Sequence, residues 1–533
     1  MIRECVERHL TALVGDLPEG HEIEFVKDPK LGDIASNVAF LLARLQGRSP
    51  ETIAQELVGR LAGKPEFARV TKGGRGFVNF TISDSWLAEG VQACMASDFG
   101  RSAAGRGVRV NVEYVSANPT GPLNVVNARA GAYGSALVSL LRFTGHEAVS
   151  EYYVNDGGRQ VELLGQSVAA RIAEQQGAAL QIPDGGYPGE YLKPIAEDAV
   201  IQGVAHERLG SFALEQILAE QLRTLERLGV HFDSLVRETT VRPTNPEVLS
   251  RLAAGGFSYD QDGAVWFRAK DFGDTEDRVL VKSNGEPTYA LSDVNYHRQK
   301  FERGFDRLIT IWGPDHHGDI ARLKGGLQAL GYPADRLEIA IVQWTTLLRA
   351  GQKLGMGKRR GEYVTIDEVL DEIGSDALKF YLLMRRASQQ LEFDLALAKQ
   401  TSSENPVYYA QYCHARIASI LRFAGEQGVD VAAATAGFLP EASSFTDDGE
   451  RTLAKLLMRY PDVVDGASRT REPHRIVYYA LDLANAFHLF YEHVRVVTGD
   501  TRATEFRVGL CMGTKQTMRS ALNLIGVSAP ERM

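Results

Sequence analysis

The chain is poor in several features that define whole classes of protein. Only four of its 533 residues are cysteines, Cys5, Cys94, Cys413 and Cys511, and they lie far apart without a Cys-x-x-Cys pair. Neither a disulfide framework nor a cysteine-rich zinc site is therefore indicated. No apolar run reaches the length of about 18 residues that a membrane-spanning helix needs, and residues 1–14 mix acids with bases instead of forming an apolar signal core. We expect a cytoplasmic protein without a membrane partner.

The chain also lacks internal repeats, low-complexity tracts and an excess of positive charge. Its formal net charge is −9, which argues against a protein that coats nucleic acid in general but leaves room for local basic faces that bind one folded RNA. With 44% hydrophobic and 24% charged residues, each of three or four ordinary domains can have its own core. The composition predicts a soluble multidomain protein.

One strand–turn–helix unit organises the sequence. Apolar and polar side chains alternate over residues 108–115, which is strand periodicity, and the alternation ends in a turn that contains Pro119 and Pro122. Small residues from Leu123 onward permit a helix whose N-terminus faces the end of the strand. In a parallel α/β sheet such a junction receives an anion, for example a triphosphate, on free backbone N–H groups. Taken alone, the unit is equally typical of a crossover connection without catalytic meaning.

Residues 113–127, EYVSANPTGPLNVVN, resemble the nucleotide-binding signature of class I aminoacyl-tRNA synthetases and are most similar to its arginyl branch. That family usually has His-x-Gly-His at 124–127. Here asparagine stands at both histidine positions, and Val126 replaces the glycine. The resemblance implies that Asn124 and Asn127 take the catalytic positions and that ATP contacts Pro119, Thr120 and Gly121.

A second segment concerns the substrate side chain. Strand-type residues 279–281 lead into a hairpin turn at Asn284-Gly285 and then to Tyr289 and Asp293. On a helix that begins there, these two residues share one face, where a carboxylate can pair with a guanidinium and a ring can cover it. From the residues alone, polar side chains at the start of a surface helix explain the pair better. The resemblance implies instead that arginine binds there, with its α-amino end at Glu113, Ser116 and Asn118.

Residues 308–312 predict a buried strand that ends in a cluster of polar residues, Gly313-Pro314-Asp315-His316-His317. Adjacent side chains on one turn rarely converge on a single ion, and no second ligand cluster is evident in the sequence, so we expect no zinc. The end of a parallel strand is better interpreted as the adenosine side of an ATP site. We assign that role to Gly313, Asp315, His316 and His317.

A single strand is predicted at 339–348. Residues 354–361, LGMGKRRG, follow it and resemble the mobile second signature of class I synthetases, usually Lys-Met-Ser-Lys-Ser. Lys358 matches the second lysine, whereas Gly355 and Gly357 replace the first lysine and the serine. A Gly-rich loop with one ammonium can close over a triphosphate and neutralise the pyrophosphate leaving group, although a solvated basic loop is the commoner origin of such a run. We expect Lys358 to be catalytic and Met356 to contact ATP.

Both ends of the chain resemble tRNA-binding modules of the arginyl family. Residues 1–102 predict an α+β module with helices around 6–14 and 53–61 and a strand at 77–82, and the family's N-terminal domain touches the outer corner of the tRNA. Phe77 and Asn79 would contact bases there, although the residues alone favour a core position for Phe77. Residues 405–416 match the family's anticodon-binding domain, where Tyr412 and Arg416 would contact unstacked bases.

The C-terminal part, from residue 373, is predicted to be helical throughout. Its clearest pattern is an apolar stripe with steps of four and three residues, which predicts one continuous buried helix face. The stripe consists of Ile476, Ala480, Leu483, Phe487, Phe490, Val494 and Val497. The two phenylalanines are expected in the core.

The resemblance covers nearly the whole chain and implies an α/β fold in three parts. These are an α+β N-terminal additional domain at 1–102, a Rossmann-like parallel-sheet catalytic domain at 103–372 with a connective insertion at about 155–235, and an all-α anticodon-binding domain at 373–533. The implied activity is ATP-dependent ligation of L-arginine to tRNA(Arg) through an arginyl-adenylate, giving AMP and pyrophosphate, with ATP as its Mg²⁺ complex. We expect a monomer, and the family's behaviour implies that tRNA can be required for the activation step.

Two alternatives stay open. The altered residues at 124–127 and 355–358 motivate a paralogue that binds arginine or tRNA for regulation without turnover. A synthetase for a different amino acid is disfavoured, because Asp293 suits a cationic side chain.

Overall fold

The computed structural model describes residues 1–26, 28–354, 356–357 and 362–533. Its strands are β1 (Ile23–Phe25), β2 (Ile34–Ser36), β3 (Phe67–Gly73), β4 (Phe77–Ile82), β5 (Arg109–Glu113), β6 (Glu147–Val154), β7 (Ser234–Arg237), β8 (Ser258–Gln261), β9 (Ala264–Phe267), β10 (Arg278–Val281), β11 (Arg307–Trp312), β12 (Leu337–Ile341), β13 (Thr345–Arg349), β14 (Gln352–Lys353), β15 (Met356–Gly357), β16 (Glu362–Tyr363) and β17 (Leu391–Asp394).

Its helices are α1 (Ile2–Val14), α2 (Val38–Gln46), α3 (Pro50–Leu61), α4 (Asp84–Ala93), α5 (Val125–Phe143), α6 (Arg159–Gln175), α7 (Leu192–Ile201), α8 (Leu209–Arg227), α9 (Glu238–Val241), α10 (Asn245–Ala254), α11 (Tyr289–Glu302), α12 (Ile320–Ala329), α13 (Ile366–Leu383), α14 (Leu395–Ala398), α15 (Pro406–Glu426), α16 (Val431–Ala436), α17 (Asp448–Thr470), α18 (His474–His493) and α19 (Thr501–Leu524). Among the described residues, no helix is both long enough and apolar enough to cross a bilayer.

A five-stranded parallel sheet forms the centre of the molecule, in the order β12-β11-β5-β6-β7. The chain builds outward from β5 to β6 and β7 on one side and returns to β11 and β12 on the other. Ligands of open parallel sheets bind at such a reversal, outside the carboxyl ends of the strands. The predicted strand–turn–helix unit is confirmed as β5 and α5, with Val110, Val112 and Leu137 fully buried.

Residues 1–100 contain a four-stranded antiparallel sheet in the order β1-β2-β4-β3. The predicted helices are confirmed as α1 and α3, and the predicted strand as β4. Apolar side chains from both helices and from β4 form one buried core, among them Val6, Leu10, Leu57, Val78 and Phe80. This region is therefore α+β, as predicted.

The hairpin predicted after β10 is present only in part. The turn forms, because Lys282 N–H donates to Glu286 O at 2.9 Å and Gly285 takes a φ of 84°, which suits glycine. The return arm is a single bridge between Val281 and Pro287. Proline has no N–H for a ladder, and α11 begins two residues later, so β10 pairs instead with β9.

The single strand expected at 339–348 is wrong. The structure has two strands there, β12 in the central sheet and β13 between β14 and β17 in a separate three-stranded sheet. Between them the buried Arg129 guanidinium binds the carbonyls of Gln343, at 2.9 Å, and Trp344, at 3.4 Å. Gln343 N–H donates to Ala387 O at 2.8 Å and Trp344 O accepts from Leu391 N–H at 3.1 Å, so the backbone passes here from the central sheet to the sheet of β17.

The C-terminal part is mostly helical, but not throughout, since β17 lies within it. Phe487 and Phe490 are in the core, as expected. The prediction of one continuous helix face through Val497 is wrong, because α18 ends at His493. Val494 is extended, with φ −116° and ψ 121°. Val494 stays buried from that extended position, so burial continues beyond the end of the helix. The predicted boundary at residue 373 falls inside α13, one residue before the non-helical Gly374.

Candidate active site and RNA-binding surfaces

The first signature forms the junction between β5 and α5. Asn124 caps α5: its Oδ1 accepts from Val126 N–H at 3.0 Å and from Asn127 N–H at 3.3 Å, while Asn127 Oδ1 accepts from Asn124 N–H at 3.0 Å. This is a reciprocal capping box. The expectation that the first backbone N–H groups of the helix are free is therefore wrong for these three. No hydrogen bond among the described residues uses the Nδ2 group of either asparagine, so both amides keep their donors.

The backbone between β5 and the signature turn takes an uncommon conformation. Val115 and Ser116 have φ values of 67° and 39°, a region that non-glycine residues enter at a cost and mostly near functional sites. The bend directs Ser116 Oγ back toward the strand end, where it donates to Glu113 Oε1 at 3.2 Å and accepts from Tyr153 N–H at 3.0 Å. Glu113 and Ser116, two predicted arginine ligands, are thus held together.

Residues of the predicted insertion fix the carbonyl groups of the signature turn. Gln221 Nε2 donates to Asn118 O at 3.1 Å and to Gly121 O at 2.7 Å. Tyr191 Oη donates to Thr120 O at 2.5 Å. Pro119 is buried and Asn118 is exposed. The turn therefore has a defined shape before any ligand binds, with Asn118 facing outward.

The predicted guanidinium site lies at the start of α11. The helix begins at Tyr289, as the spacing required, so Tyr289 and Asp293 share one face. Tyr289 is 58% exposed. Burial raises the pKa of Asp293 to about 7; the negative charges of Glu113, Glu238 and Asp319 add to the shift, and Arg322 opposes it. A cationic side chain between these groups would restore the ionised form of Asp293.

Glu238 is a residue of this pocket that the sequence reasoning missed. Its side chain is 2% exposed, and Arg242 holds its Oε1 through Nε at 3.0 Å and Nη2 at 2.9 Å. Its Oε2 is buried and has no hydrogen-bond partner in the described part of the chain. Glu238 directly follows β7, at the same carboxyl edge of the sheet as Glu113. An acidic residue immediately after a strand of the parallel sheet was the available signal.

The predicted adenosine side follows β11 without a gap. Gly313 caps a short 3₁₀ helix, Pro314–Asp319, on which Asp315, His316 and His317 are exposed. His316 Nδ1 lies 3.0 Å from Asp319 Oδ2, and its ring packs against Trp312 at 5.7 Å. These side chains border the reversal point of the sheet, but each faces solvent.

Only one group of described residues brings three metal-type ligand atoms together, and it lies in the N-terminal region. The group is Cys5, His9 and Glu66. The Arg8 guanidinium contacts both Cys5 Sγ, at 3.5 Å, and Glu66 Oε1, at 3.4 Å. The positive charge of Arg8 beside this carboxylate opposes the binding of a second cation.

The second signature is the part of the predicted site that the structure covers least. Lys358, the proposed catalytic lysine, lies outside the described residues. Met356 belongs to β15, which pairs antiparallel with β16. Its proposed contact with ATP stays a prediction.

The two N-terminal residues predicted to contact tRNA differ in exposure. Phe77 is 41% exposed and meets Phe40 edge to face at 5.1 Å, so the interpretation of Phe77 as a core residue is wrong. Asn79 is 4% exposed, with an Oδ1 that has no partner among the described residues. Asn79 packs against Gly73, where any Cβ would lie 2.6 Å from its Nδ2. The Phe77 ring is thus accessible at the surface, whereas the Asn79 side chain is buried.

Tyr412 and Arg416 line an aromatic cleft of about 540 Å³ on the C-terminal helices. Tyr412 stacks on Tyr408 at 5.9 Å and on His488 at 5.8 Å. Arg416 donates to Tyr412 Oη at 3.3 Å and lies over the Tyr491 ring at 5.0 Å. Stacked rings beside a guanidinium are the surface that unstacked bases prefer.

Comparisons with known proteins agree with this architecture. Three family models match successive parts of the chain: "Arginyl tRNA synthetase N terminal domain" at 1–82, "tRNA synthetases class I (R), catalytic domain" at 91–392, and "DALR anticodon binding domain" at 410–533. The second alone covers more than half of the chain.

Relatives and solved structures extend the match over the full length. The chain is 43% identical over 526 residues to a protein of Moorella thermoacetica named arginine–tRNA ligase, covering 96% of this chain and 93% of that one. A Desulforudis audaxviator protein of the same name is also 43% identical, over 530 residues, with 96% and 93% coverage.

Among structures, a putative arginyl-tRNA synthetase from Campylobacter jejuni is 32% identical with a TM-score of 0.78, covering 85% of this chain and 100% of the other. A Thermus thermophilus arginyl-tRNA synthetase shares the fold, with a TM-score of 0.79 at 22% identity and complete coverage of both chains. The resemblance found in the sequence is confirmed, and so is the three-part fold class. The chain belongs to the arginyl-tRNA synthetase family of class I aminoacyl-tRNA synthetases.

Proposed function

We propose that the chain ligates L-arginine to tRNA(Arg), using ATP as its Mg²⁺ complex and forming an arginyl-adenylate. The observation that carries the proposal is the pair of poorly solvated carboxylates, Asp293 and Glu238, beside the junction of β5 and α5. The charge of Glu238 adds to the cost of ionising Asp293, and two such carboxylates make a site that favours a delocalised cation. A guanidinium can satisfy the vacant Glu238 Oε2 and ionised Asp293 together.

At the other end of the substrate, Glu113 and Asn118 take the α-ammonium group. The arginine carboxylate then points at the α-phosphate of ATP and attacks it in line, and the bond to pyrophosphate breaks. A ribose hydroxyl of the terminal tRNA nucleotide afterwards attacks the carbonyl carbon of the adenylate, and AMP leaves. The protein contributes mainly position and charge stabilisation.

Phosphate charge is stabilised by donors from both signatures. The Nδ2 groups of Asn124 and Asn127 are donors that the capping box leaves unused, and the dipole of α5 adds positive potential. Lys358 supplies the ammonium for the pyrophosphate group. Pro119, Thr120, Gly121 and Met356 contact ATP, with Gly313, Asp315, His316 and His317 on its adenosine side.

The tRNA contacts lie on separate parts of the chain. Phe77 stacks at the outer corner of the tRNA, with Asn79 behind it, and the cleft of Tyr412 and Arg416 takes anticodon bases. We also propose that the protein acts as a monomer in the cytoplasm. Its four cysteines are buried and unpaired, which suits a reducing compartment, and light scattering of the purified protein measures the oligomeric state.

Aminoacylation of total tRNA with each amino acid in turn tests the proposal, with arginine-dependent ATP–pyrophosphate exchange measured with and without tRNA. We expect charging with arginine alone. Binding of arginine and tRNA without exchange or charging would select the paralogue without turnover, an alternative that the full-length relatives, all named as ligases, do not favour. Charging with another amino acid would select the second alternative.

A further inference from the structure

Helix α11 presents more than Asp293 to the active site. Tyr296, Lys300 and Arg303 follow Asp293 at steps of three, four and three residues, so all four lie on one side of the helix and the turn that ends it. This side faces the carboxyl ends of β5 and β6, where Glu113 and Glu151 are register partners. Two carboxylates of the sheet therefore meet two cations of one helical element.

Lys300 is the buried member that contacts the substrate site. Its side chain is 0% exposed, and Nζ lies 2.5 Å from Glu113 Oε2 and 4.2 Å from the centre of the Tyr296 ring. Taking an ammonium out of water is costly unless a counter-charge compensates it. Glu113 supplies that charge, and its other oxygen accepts from Ser116. Both oxygens of Glu113 are thus fixed before substrate binds.

The neighbouring pair anchors the helix itself. Glu151 is completely buried and accepts two hydrogen bonds from the Arg303 guanidinium, at 2.6 and 2.8 Å, and one from Tyr296 Oη, at 2.7 Å. Burial alone would raise the pKa of Glu151, but these contacts and the positive charge of Lys300 hold it at about 2. The pair of Glu151 and Arg303 fixes α11 on the sheet. Lys300 differs, because its partner is a substrate ligand.

We propose that Lys300 is a positioning residue that sets the length of the amino acid the pocket accepts. The inference rests on the proposed function, in which Glu113 binds the α-ammonium group and Asp293 the guanidinium. Glu113 lies on β5 and Asp293 on α11, and the Lys300–Glu113 contact joins these two elements at the ligand itself. It fixes the distance between the two ends of the substrate.

The test compares arginine with homoarginine, which has one more methylene group. We express the preference as the ratio of kcat/KM for arginine to kcat/KM for homoarginine. A pocket of fixed length should give a ratio of roughly ten or more. In Lys300→Met, Glu113 loses its fixed counter-charge and can move, so the preference for arginine falls severalfold or more, with KM for arginine raised more than kcat is lowered. KM for tRNA stays unchanged. Lys270→Met, an exposed lysine of the same region, is the matched control and keeps the wild-type preference.

The binding of both amino acids is measured by calorimetry in parallel with pyrophosphate exchange. A failure of the proposed function can then be distinguished from a failure of the role of Lys300. Wild-type protein that binds arginine in preference to homoarginine but never turns over would refute the proposed function, while a preference lost in Lys300→Met would still support the role of Lys300. An unchanged preference in Lys300→Met overturns that role. If Lys300→Met does not fold, Lys300→Arg is used instead. This variant keeps the positive charge but changes how far it reaches, so the preference for arginine should change by more than about threefold. A constant preference overturns the inference.

Discussion

Arginine binding should depend on pH through Asp293. In the empty pocket, burial and the charges of Glu113, Glu238 and Asp319 raise the pKa of Asp293 to about 7, although Arg322 opposes the shift. The arginine guanidinium stays charged throughout the accessible range. Only ionised Asp293 pairs with it, so protonation competes with the substrate. Arginine affinity is complete above the pKa and is lost as the pH falls through it.

The size of the effect follows from the pKa itself. For a single group with a pKa of about 7, KM for arginine at pH 6 is about tenfold above its value at pH 8, and each further unit of acidity adds about tenfold. Binding at pH 7 releases about half a proton, because half of the carboxyl groups are protonated before arginine arrives. The calculated change in KM applies where kcat is nearly constant over this pH range.

The measurement is KM for arginine between pH 6 and 8, with calorimetry at pH 7 in two buffers of different ionisation enthalpy to count protons. Asp293→Asn is the matched variant, since it keeps the shape and removes the titrating group. We expect weaker binding at pH 8 and no proton release in this variant. A wild-type KM that is flat over this range, with no proton released, would refute the assignment of Asp293 to the guanidinium.

Three further predictions test other parts of the site. Glu238→Gln should cost about 1.5–3 kcal/mol of arginine affinity, the usual loss for a hydrogen bond to a charged group, and equal dissociation constants by calorimetry would remove Glu238 from the pocket. Lys358→Ala should lower kcat for pyrophosphate exchange by roughly tenfold to a hundredfold, with a smaller loss in Asn124→Ala; exchange at the wild-type rate in Lys358→Ala would contradict the role of the second signature. Phe77→Ala and Arg416→Ala should each raise KM for tRNA, and their effects in free energy should add in the double variant, whereas an unchanged KM in both would argue against separate tRNA contacts.

Local patterns were enough to predict the elements that create the site. The alternation before Glu113 and the small residues after Leu123 depend only on neighbours in the sequence, and the structure confirms both β5 and α5. The start of α11 at Tyr289 is equally local. Wherever an element is set by its own periodicity, the sequence predicts it.

Long-range contacts account for the errors. Where the chain leaves the central sheet after β12, Arg129, which lies more than two hundred residues earlier in the sequence, binds the carbonyls of Gln343 and Trp344. Nothing near residue 343 signals this contact. Glu238 and Lys300 were missed for a similar reason, since their roles depend on which strand and helix lie against β5.

The altered first signature is the remaining question about activity, and the capping box bears on it. A neutral histidine offers one ring N–H donor, whereas an asparagine amide offers an acceptor and two donors. In this chain the acceptors of Asn124 and Asn127 are used to fix the first turn of α5. The two amide groups are thereby oriented, and in the proposed mechanism their donors bind phosphate oxygens. Because amides do not titrate, this contribution is constant with pH, so the pH dependence of the first half-reaction should follow Asp293 and the substrates rather than the signature.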